Sequence, residues 1–232
     1  MDDAFGTMLL DALRRGGTGH EIVERDDGFF DVPTIDYFAP VRRWPAAERR
    51  ALRFVTGRVL DVGCGAGRVA LELQARGHEV VAIDPSPGAV EVSRRRGVRD
   101  ARRIRLEDVD PSLGHFGSVV MYGNNFGLFG SRAKAGRLLR GLRAIADRIV
   151  AASNDPHQAA DPVHLAYQER NRKRRRLPGQ LRLRIHHRNL ADPWFDYLIV
   201  SPDEMEQIVN GTGWRIRRLV RDETPYYVAV LE

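Results

Sequence analysis

The sequence contains little cysteine and little lysine, and it has no long apolar run. Its single cysteine, Cys64, excludes an internal disulfide framework and a zinc site built from several cysteines. No apolar stretch approaches the roughly 18 residues that a membrane-spanning helix requires, and the acidic start of the chain lacks the pattern of a secretory signal. We therefore expect a cytoplasmic protein that has no membrane partner and binds no metal.

The basic charge of the chain comes almost entirely from arginine. Only 2 of the 37 basic residues are lysine, although the formal net charge is +6. Such a skew is typical of an arginine-rich composition in general, so the charge alone is a weak indicator of a nucleic-acid partner. The run "RNRKRRR" at 170–176 is the strongest candidate for an anionic contact. A solvated helix face is the alternative interpretation, because Tyr167 is the one aromatic residue beside it.

From Arg58 onward, short apolar runs alternate with helical patterns, which favours a parallel sheet covered by helices. The alternation is interrupted at 156–200. There a basic helix is predicted around 167–176, followed by an alternating strand at 180–188 and a candidate partner at 194–200. We predict an N-terminal cap segment over 1–57 and a core domain over 58–232. Residues 156–200 would then form an inserted, β-rich segment that covers the substrate.

The cap segment begins with a short amphipathic helix that stops at Gly16-Gly17, and Asp27-Gly28 indicates a small hairpin. An aromatic stretch follows, broken by prolines and therefore unsuited to long regular structure. Its aromatic residues Tyr37, Phe38 and Trp44 either pack on the core or line a pocket.

A glycine-rich turn follows the first apolar run, in the stretch "VLDVGCGAG" at 59–67. A strand that ends in such a turn and opens a helix builds a ligand site at its carboxyl end. Gly63, Gly65 and Gly67 remove side chains so that the backbone can approach a ligand closely. The spacing is G-x-G-x-G rather than the dinucleotide pattern G-x-G-x-x-G. Asp61 just before it disfavours a pyrophosphate and suits a ligand with a cationic amino group.

A second carboxylate, Asp84, ends the next apolar run, "VVAID". A carboxylate at the end of the second strand can accept both hydroxyls of a ribose. The ligand therefore has a ribose and a cationic end but no phosphate group that the loop must bind. S-adenosylmethionine fits this description, with S-adenosylhomocysteine as its product.

Three stretches in order, "VLDVGCGAGRVAL", "AIDPSPGAVEVSRRRGV" and "LEDV", resemble the cofactor motifs of class I S-adenosylmethionine-dependent methyltransferases. The resemblance implies a Rossmann-like, doubly wound α/β fold with a seven-stranded sheet of order 3-2-1-4-5-7-6, in which strand 7 is antiparallel. It also implies that Asp84 binds the ribose and that Asp108, or Glu107 if the register shifts by one, binds the adenine amine. The implied cofactor residues are Asp61, Gly63, Cys64, Gly65, Gly67, Asp84, Pro85, Ser86, Glu107, Asp108, Tyr122 and Asn124.

The fourth strand is followed by "GNNFGL", which resembles a run in bacterial methyltransferases of uncertain substrate. In this fold that position faces the transferable methyl group, so Asn124 and Asn125 are candidates on the acceptor side. The stretch departs from the Asn-Pro-Pro-Tyr motif, which counts against planar amides and adenine amino groups as acceptors. His157, after the fifth strand, is the candidate base.

Several functions remain open at this point. A methyltransferase acting on a small molecule is favoured, since no appended nucleic-acid domain is visible. An RNA methyltransferase, or an RNA-binding module that uses 170–176, is the alternative. A nicotinamide-dependent oxidoreductase is opposed by the glycine spacing and by the two closing strands.

Overall fold

The computed structural model describes residues 3–232 of the chain. The chain divides into two compact units. The first unit contains the chain up to Trp44 together with Thr56–Val109 and Arg182–Phe195. The second contains Pro45–Val55, Asp110–Leu181 and Asp196–Glu232. In this described part of the chain, no helix is both long enough and apolar enough to cross a membrane.

Strands and α-helices follow each other along the chain with short 3₁₀ turns between several of them. The strands are β1 (Ile22–Arg25), β2 (Phe30–Asp31), β3 (Val59–Val62), β4 (Val80–Asp84), β5 (Ala101–Arg103), β6 (Ser118–Met121), β7 (Ile149–Asn154), β8 (Gln180–His187), β9 (Leu190–Ala191), β10 (Phe195–Leu198), β11 (Ile216–Arg221) and β12 (Tyr226–Leu231). The α-helices are α1 (Ala4–Arg14), α2 (Ala46–Ala51), α3 (Arg68–Ala75), α4 (Pro87–Arg95), α5 (Arg132–Arg143), α6 (Pro162–Lys173) and α7 (Pro202–Val209).

The main sheet has seven strands in the spatial order β5-β4-β3-β6-β7-β12-β11. Strands β3, β4 and β5 pair in parallel, as do β6 and β7. Strand β12 runs antiparallel to both of its neighbours. Every residue of β3, β4 and β6 is buried, as expected for parallel strands covered on both faces. The predicted α/β fold, with order 3-2-1-4-5-7-6 and an antiparallel strand 7, is confirmed.

A second, smaller sheet has the order β10-β8-β1-β2, with β9 paired to β8. The hairpin predicted at Asp27-Gly28 is confirmed as β1 and β2, and the predicted partner of 180–188 is confirmed as β10. The sequence did not indicate that β8 also pairs with β1, where Ile22 lies opposite His186. Such a pairing joins segments far apart in the chain, so it leaves no local pattern.

Ser86, Ser131 and Ser201 each cap a helix with their side chains, as serine commonly does at a helix start. The predicted bounds of the basic helix, 167–176, are wrong. Helix α6 starts earlier because Asp161 accepts a hydrogen bond from the N–H of Val163, with a proline in the first turn. It ends at Lys173, so only part of the basic run is helical.

Helix α1 packs against α4 in the first unit through a shared apolar cluster. The cluster joins Met8, Leu9 and Ala12 of α1 to Ala89 and Val92 of α4. The backbones can approach because both helices carry a glycine at the contact. A Cβ atom on Gly88 would lie 2.6 Å from the Cα atom of Gly6.

Replacing Gly88 tests this contact. We expect Gly88→Ala to lower the free energy of unfolding by about 1–3 kcal/mol, because the added methyl group meets backbone rather than a movable side chain. Gly141 in α5 is the matched control, since a Cβ atom there would meet nothing within 4 Å. Gly141→Ala should raise stability by up to about 1 kcal/mol. Equal effects in urea denaturation would contradict the close packing of α1 on α4.

Candidate functional site

The glycine loop after β3 adopts a backbone conformation that favours glycine. Gly63, Gly65 and Gly67 have φ angles of 70°, 54° and 78°, in the left-handed region. A Cβ atom on Gly67 would also lie 2.6 Å from Val98 Cγ2 and 2.9 Å from Ser93 Oγ. The loop therefore needs these glycines both for its conformation and for its packing.

The amides of the loop hold it against the next strand. The N–H groups of Gly63 and Cys64 donate to the carbonyl oxygen of Ile83, at 2.9 and 3.0 Å. The N–H of Gly65 donates to Asp84 Oδ2 at 3.0 Å. The sequence predicts that backbone groups here approach a ligand closely. In the structure these three amides fix the shape of the loop, and the glycines contribute a surface without side chains.

Asp84 is buried at the end of β4 and joins the loop to α4. Its Oδ1 atom accepts from the N–H of Ser86 at 2.9 Å, while Oδ2 accepts from Gly65. Burial raises the pKa of Asp84 to about 6, against the two backbone hydrogen bonds that lower it. Since a carboxylate can accept about four hydrogen bonds, acceptor positions remain for hydroxyl groups of a ligand.

Two further residues of this region are buried. Asp61 lies in β3 with 2% of its surface exposed. The Cys64 thiol lies 3.6 Å from Ser93 Oγ, and burial raises its pKa. A buried thiol whose thiolate is disfavoured is a poor nucleophile, so the side chain of Cys64 has a packing role.

The N-terminal segment lies directly on the glycine loop. A Cβ atom on Gly65 would lie 3.2 Å from Tyr37 Cδ1 and 3.9 Å from Phe5 Cζ. The Arg96 guanidinium donates to the carbonyl oxygens of Ala66 and Tyr37, which ties the segment to the loop. The sequence indicates Tyr37 as a candidate but not Arg96, because the run "SRRRG" that contains Arg96 is indistinguishable from a solvated helix end.

Tyr37 also contacts a carboxylate in the same unit. Its hydroxyl donates to Glu21, with oxygen–oxygen distances of 3.0 and 3.2 Å. Burial raises the pKa of Glu21 to about 7, and the charges of Asp31 and Asp192 act in the same direction. The sequence held no motif for Glu21, which lies just before the hairpin.

The proposed adenine side of the site is more open. Pro85 is exposed after β4, whereas Ser86 is buried and donates from Oγ to the carboxylate of Asp3. Glu107 and Asp108 both lie exposed in a 3₁₀ turn after β5. Their assignment to the adenine amine stays a prediction.

In the second unit, a buried carboxylate holds the turn after β6. Glu48 of α2 has none of its surface exposed. It accepts hydrogen bonds from the N–H of Gly123, at 2.7 Å, and from the hydroxyl of Tyr226. Tyr122, which precedes this turn, is buried. Glu48 was not predicted, because nothing in its short helix indicates that it faces a strand end 75 residues away.

Asn124 is held in an unusual conformation at this turn. Its φ angle is 64°, and its carbonyl oxygen accepts from the Tyr197 hydroxyl at 2.7 Å. The Oδ1 atom of Asn124 is buried and has no hydrogen-bond partner among the described residues. A buried acceptor without a donor is uncommon and is one place where a ligand group can bind. Asn125 is half-buried at the start of the following 3₁₀ turn.

The candidate base His157 lies in a 3₁₀ turn after β7 in the second unit. Its Nε2 atom is 3.2 Å from Glu204 Oε1, which belongs to the capping box of α7. The imidazole is 44% exposed. Its role as a base stays a prediction.

His186, His187 and Arg170 have partners within the protein. His186 contacts Glu24, and His187 contacts Asp11. No group of three or more metal-ligating side chains occurs among residues 3–232. The guanidinium of Arg170 lies 4.4 Å from the ring centre of the buried Tyr167.

Glu48 provides a test of the turn after β6. Glu48→Ala removes an acceptor from Gly123 and Tyr226, and we expect the free energy of unfolding to fall by about 1–3 kcal/mol. Glu206→Ala on the exposed face of α7 is the control and should stay within about 0.5 kcal/mol of the parent. Thermal and urea unfolding measure both. A Glu48→Ala protein as stable as the control would show that the carboxylate does not support the turn.

The chain resembles known methyltransferases in sequence and in structure. A family profile described as "Methyltransferase domain" matches residues 59–145. The structure is similar to that of a SAM-dependent methyltransferase from Bacteroides fragilis, solved in complex with S-adenosyl-L-homocysteine. That similarity has a TM-score of 0.83 at 26% sequence identity and covers 100% of this chain and 94% of the other.

Curated relatives match over shorter stretches. A magnesium-protoporphyrin O-methyltransferase of Rhodobacter capsulatus is 40% identical over 67 residues, or 27% of this chain and 30% of that protein. A ubiquinone biosynthesis O-methyltransferase of Azorhizobium caulinodans is 34% identical over 142 residues, or 56% of this chain and 53% of that protein. The chain thus spans 30% and 53% of the length of these two relatives. The ordered motifs, the strand order of the sheet and the similarity along the whole chain support a class I S-adenosylmethionine-dependent methyltransferase, with S-adenosylmethionine as the cofactor.

Proposed function

We propose that this protein transfers the methyl group of S-adenosylmethionine to a small molecule. The observation that carries the proposal is the glycine loop of the first unit, which Asp84 fixes and the N-terminal segment covers. A loop without side chains beside a buried carboxylate suits an uncharged ribose and a compact cationic group. It suits a pyrophosphate poorly.

In this proposal, each residue implied by the motifs has a role in binding. Asp61 attracts the amino group, the loop accommodates the methionine part, and Asp84 accepts from the ribose hydroxyls. Glu107 or Asp108 accepts from the adenine amine. The cofactor set is Asp61, Gly63, Cys64, Gly65, Gly67, Asp84, Pro85, Ser86, Glu107, Asp108, Tyr122 and Asn124.

The chemistry is displacement at a sulfonium methyl group. A lone pair of the acceptor forms a bond to the methyl carbon while the sulfur–carbon bond breaks, and its electron pair stays on sulfur. Proximity and orientation can supply up to ~7–11 kcal/mol of such a barrier. A base is needed only where the acceptor must lose a proton first. In the proposal, Asn124 and Asn125 orient the acceptor, and His157 is the candidate base.

The relatives support a small acceptor. The two relatives described above are a magnesium-protoporphyrin O-methyltransferase and a ubiquinone biosynthesis O-methyltransferase. The orphaned Oδ1 atom of Asn124 offers one acceptor for a hydroxyl or amine donor. We propose that an acceptor carrying such a donor binds beside Asn124.

Asp84 provides a direct test of cofactor binding. Asp84→Ala removes the acceptor for both ribose hydroxyls, and we expect the affinity for S-adenosylmethionine to fall at least tenfold. Asp203→Ala on the exposed start of α7 is the control. In the parent protein the affinity should also weaken as the pH falls through about 6, because protonation of Asp84 removes the charge that strengthens these hydrogen bonds. Titration calorimetry that finds tight nicotinamide dinucleotide binding and no S-adenosylmethionine binding would end this proposal.

The second candidate, an RNA substrate, is favoured by one observation: Arg172, Lys173, Arg174 and Arg175 are all exposed. Binding of a polyanion releases counterions, so it would weaken steeply with salt. We expect a shallow salt dependence in a filter-binding titration with total cellular RNA. Replacing the four residues with glutamine should leave methyl transfer unchanged. Submicromolar RNA binding that is lost at moderate salt and in this variant would establish the RNA alternative instead.

A further inference from the structure

Glu21 is a carboxylate that none of the cofactor motifs includes, yet it is linked to the glycine loop. It lies just before β1, where its backbone N–H donates to the carbonyl oxygen of Pro33 at 3.0 Å. Its side chain is half-buried and accepts the hydroxyl hydrogen bond of Tyr37. The backbone hydrogen bond to Pro33 and the hydrogen bond from Tyr37 therefore fix the position of the Glu21 carboxylate.

Tyr37 connects this carboxylate to the loop. A Cβ atom on Gly65 would lie 3.2 Å from Cδ1 of the Tyr37 ring, and the hydroxyl at the other end of the ring bonds to Glu21. Phe5 packs edge-on against the ring, with the ring centres 5.3 Å apart. Arg96 binds the Tyr37 carbonyl oxygen. The ring of Tyr37 thus lies between Glu21 and a ligand that binds on the glycine loop.

The groups that act electrostatically on Glu21 are acidic. Asp31 of β2 and Asp192, which follows β9, both disfavour its ionisation. Asp192 itself accepts from the N–H groups of Ala4 and Phe5 at the start of α1, at 2.7 and 3.1 Å. With a pKa of about 7, Glu21 carries a proton in about half of the molecules at neutral pH. A positive charge placed nearby favours its ionised form.

The cofactor before and after reaction differs by one positive charge. Methyl transfer leaves the bonding electron pair on sulfur, so the cationic sulfonium becomes a neutral thioether. We propose that Glu21, through Tyr37, makes the protein bind the cationic methyl donor in preference to its neutral product. Donor binding then expels the Glu21 proton, and methyl transfer lets the proton return, which favours product release. This inference rests on the proposed function, since it requires the cofactor to lie on the loop.

The test compares the two cofactor forms as a function of pH. Dissociation constants of S-adenosylmethionine and S-adenosylhomocysteine are measured by calorimetry at pH 6, 7 and 8 for the intact protein. The variants are Glu21→Gln, which keeps an acceptor for Tyr37, and Tyr37→Phe, with Glu223→Gln on an exposed turn as the control. Because Asp84 binds the ribose of both ligands, its titration cancels in the ratio of the two constants. Any change in the protonation of the ligands themselves affects the parent and the variants equally.

The preference for the donor is the ratio of the dissociation constant of S-adenosylhomocysteine to that of S-adenosylmethionine. We expect this ratio to increase several-fold from pH 6 to pH 8 in the parent and in Glu223→Gln. The increase should exceed any change seen in Glu21→Gln. Donor binding at pH 7 should release up to about half a proton, measured in buffers of different ionisation enthalpy, and this release should disappear in Glu21→Gln. Loss of the phenol hydrogen bond in Tyr37→Phe should move the midpoint to higher pH.

Two results would overturn the inference. One is a ratio whose pH profile is the same in Glu21→Gln as in the parent. The other is an unchanged ratio with a lower turnover in Glu21→Gln, which would instead make Glu21 a base for the acceptor. Failure of the parent to bind either cofactor form would refute the proposed function and is distinguishable from both.

Discussion

The carboxylate of Asp84 is the contact on which the candidate cofactor site depends. It accepts hydrogen bonds from the N–H of Gly65 in the glycine loop and from the N–H of Ser86 at the start of α4. One side chain therefore fixes both segments that border the end of β4. Burial opposes its charge, which is why its pKa rises to about 6. The same burial strengthens hydrogen bonds to hydroxyl groups that replace water. Because Asp84 shapes the loop, we expect its replacement to affect both the loop and the proposed ligand binding.

The N-terminal segment is built around this loop rather than appended to it. Asp3 caps α1 and also accepts from the Ser86 hydroxyl and the Gly88 amide at the start of α4. Tyr37 and Arg96 fasten the aromatic stretch to the loop. A segment with so many prolines has little order of its own, so its position comes from these contacts. The candidate cofactor site therefore combines the loop with residues of the N-terminal segment.

In the second unit, the turn after β6 carries the proposed acceptor residues. The turn after β6 is fixed by Glu48, Tyr226 and Tyr197, which hold backbone atoms and leave the Asn124 side chain available. Methyl transfer needs orientation more than it needs a particular acid or base. No particular residue type is therefore required at the acceptor, and the acceptor leaves a weaker mark on the sequence than the cofactor does.

The resemblance to a methyltransferase family implied the order of the strands in the sheet. The sequence by itself determined the alternation of strands and helices, the glycine loop, the carboxylates of β3 and β4 and several helix starts. These features depend on local chemistry: a positive φ angle needs glycine, and a first turn needs a capping side chain. It also indicated the hairpin at 27–28 and the pairing of β8 with β10. Only the tertiary structure decided that β8 joins β1, that Glu21 meets Tyr37, and that Glu48 meets Tyr226. Each of these contacts links residues whose separation in the chain leaves no period or motif, and only packing brings them together.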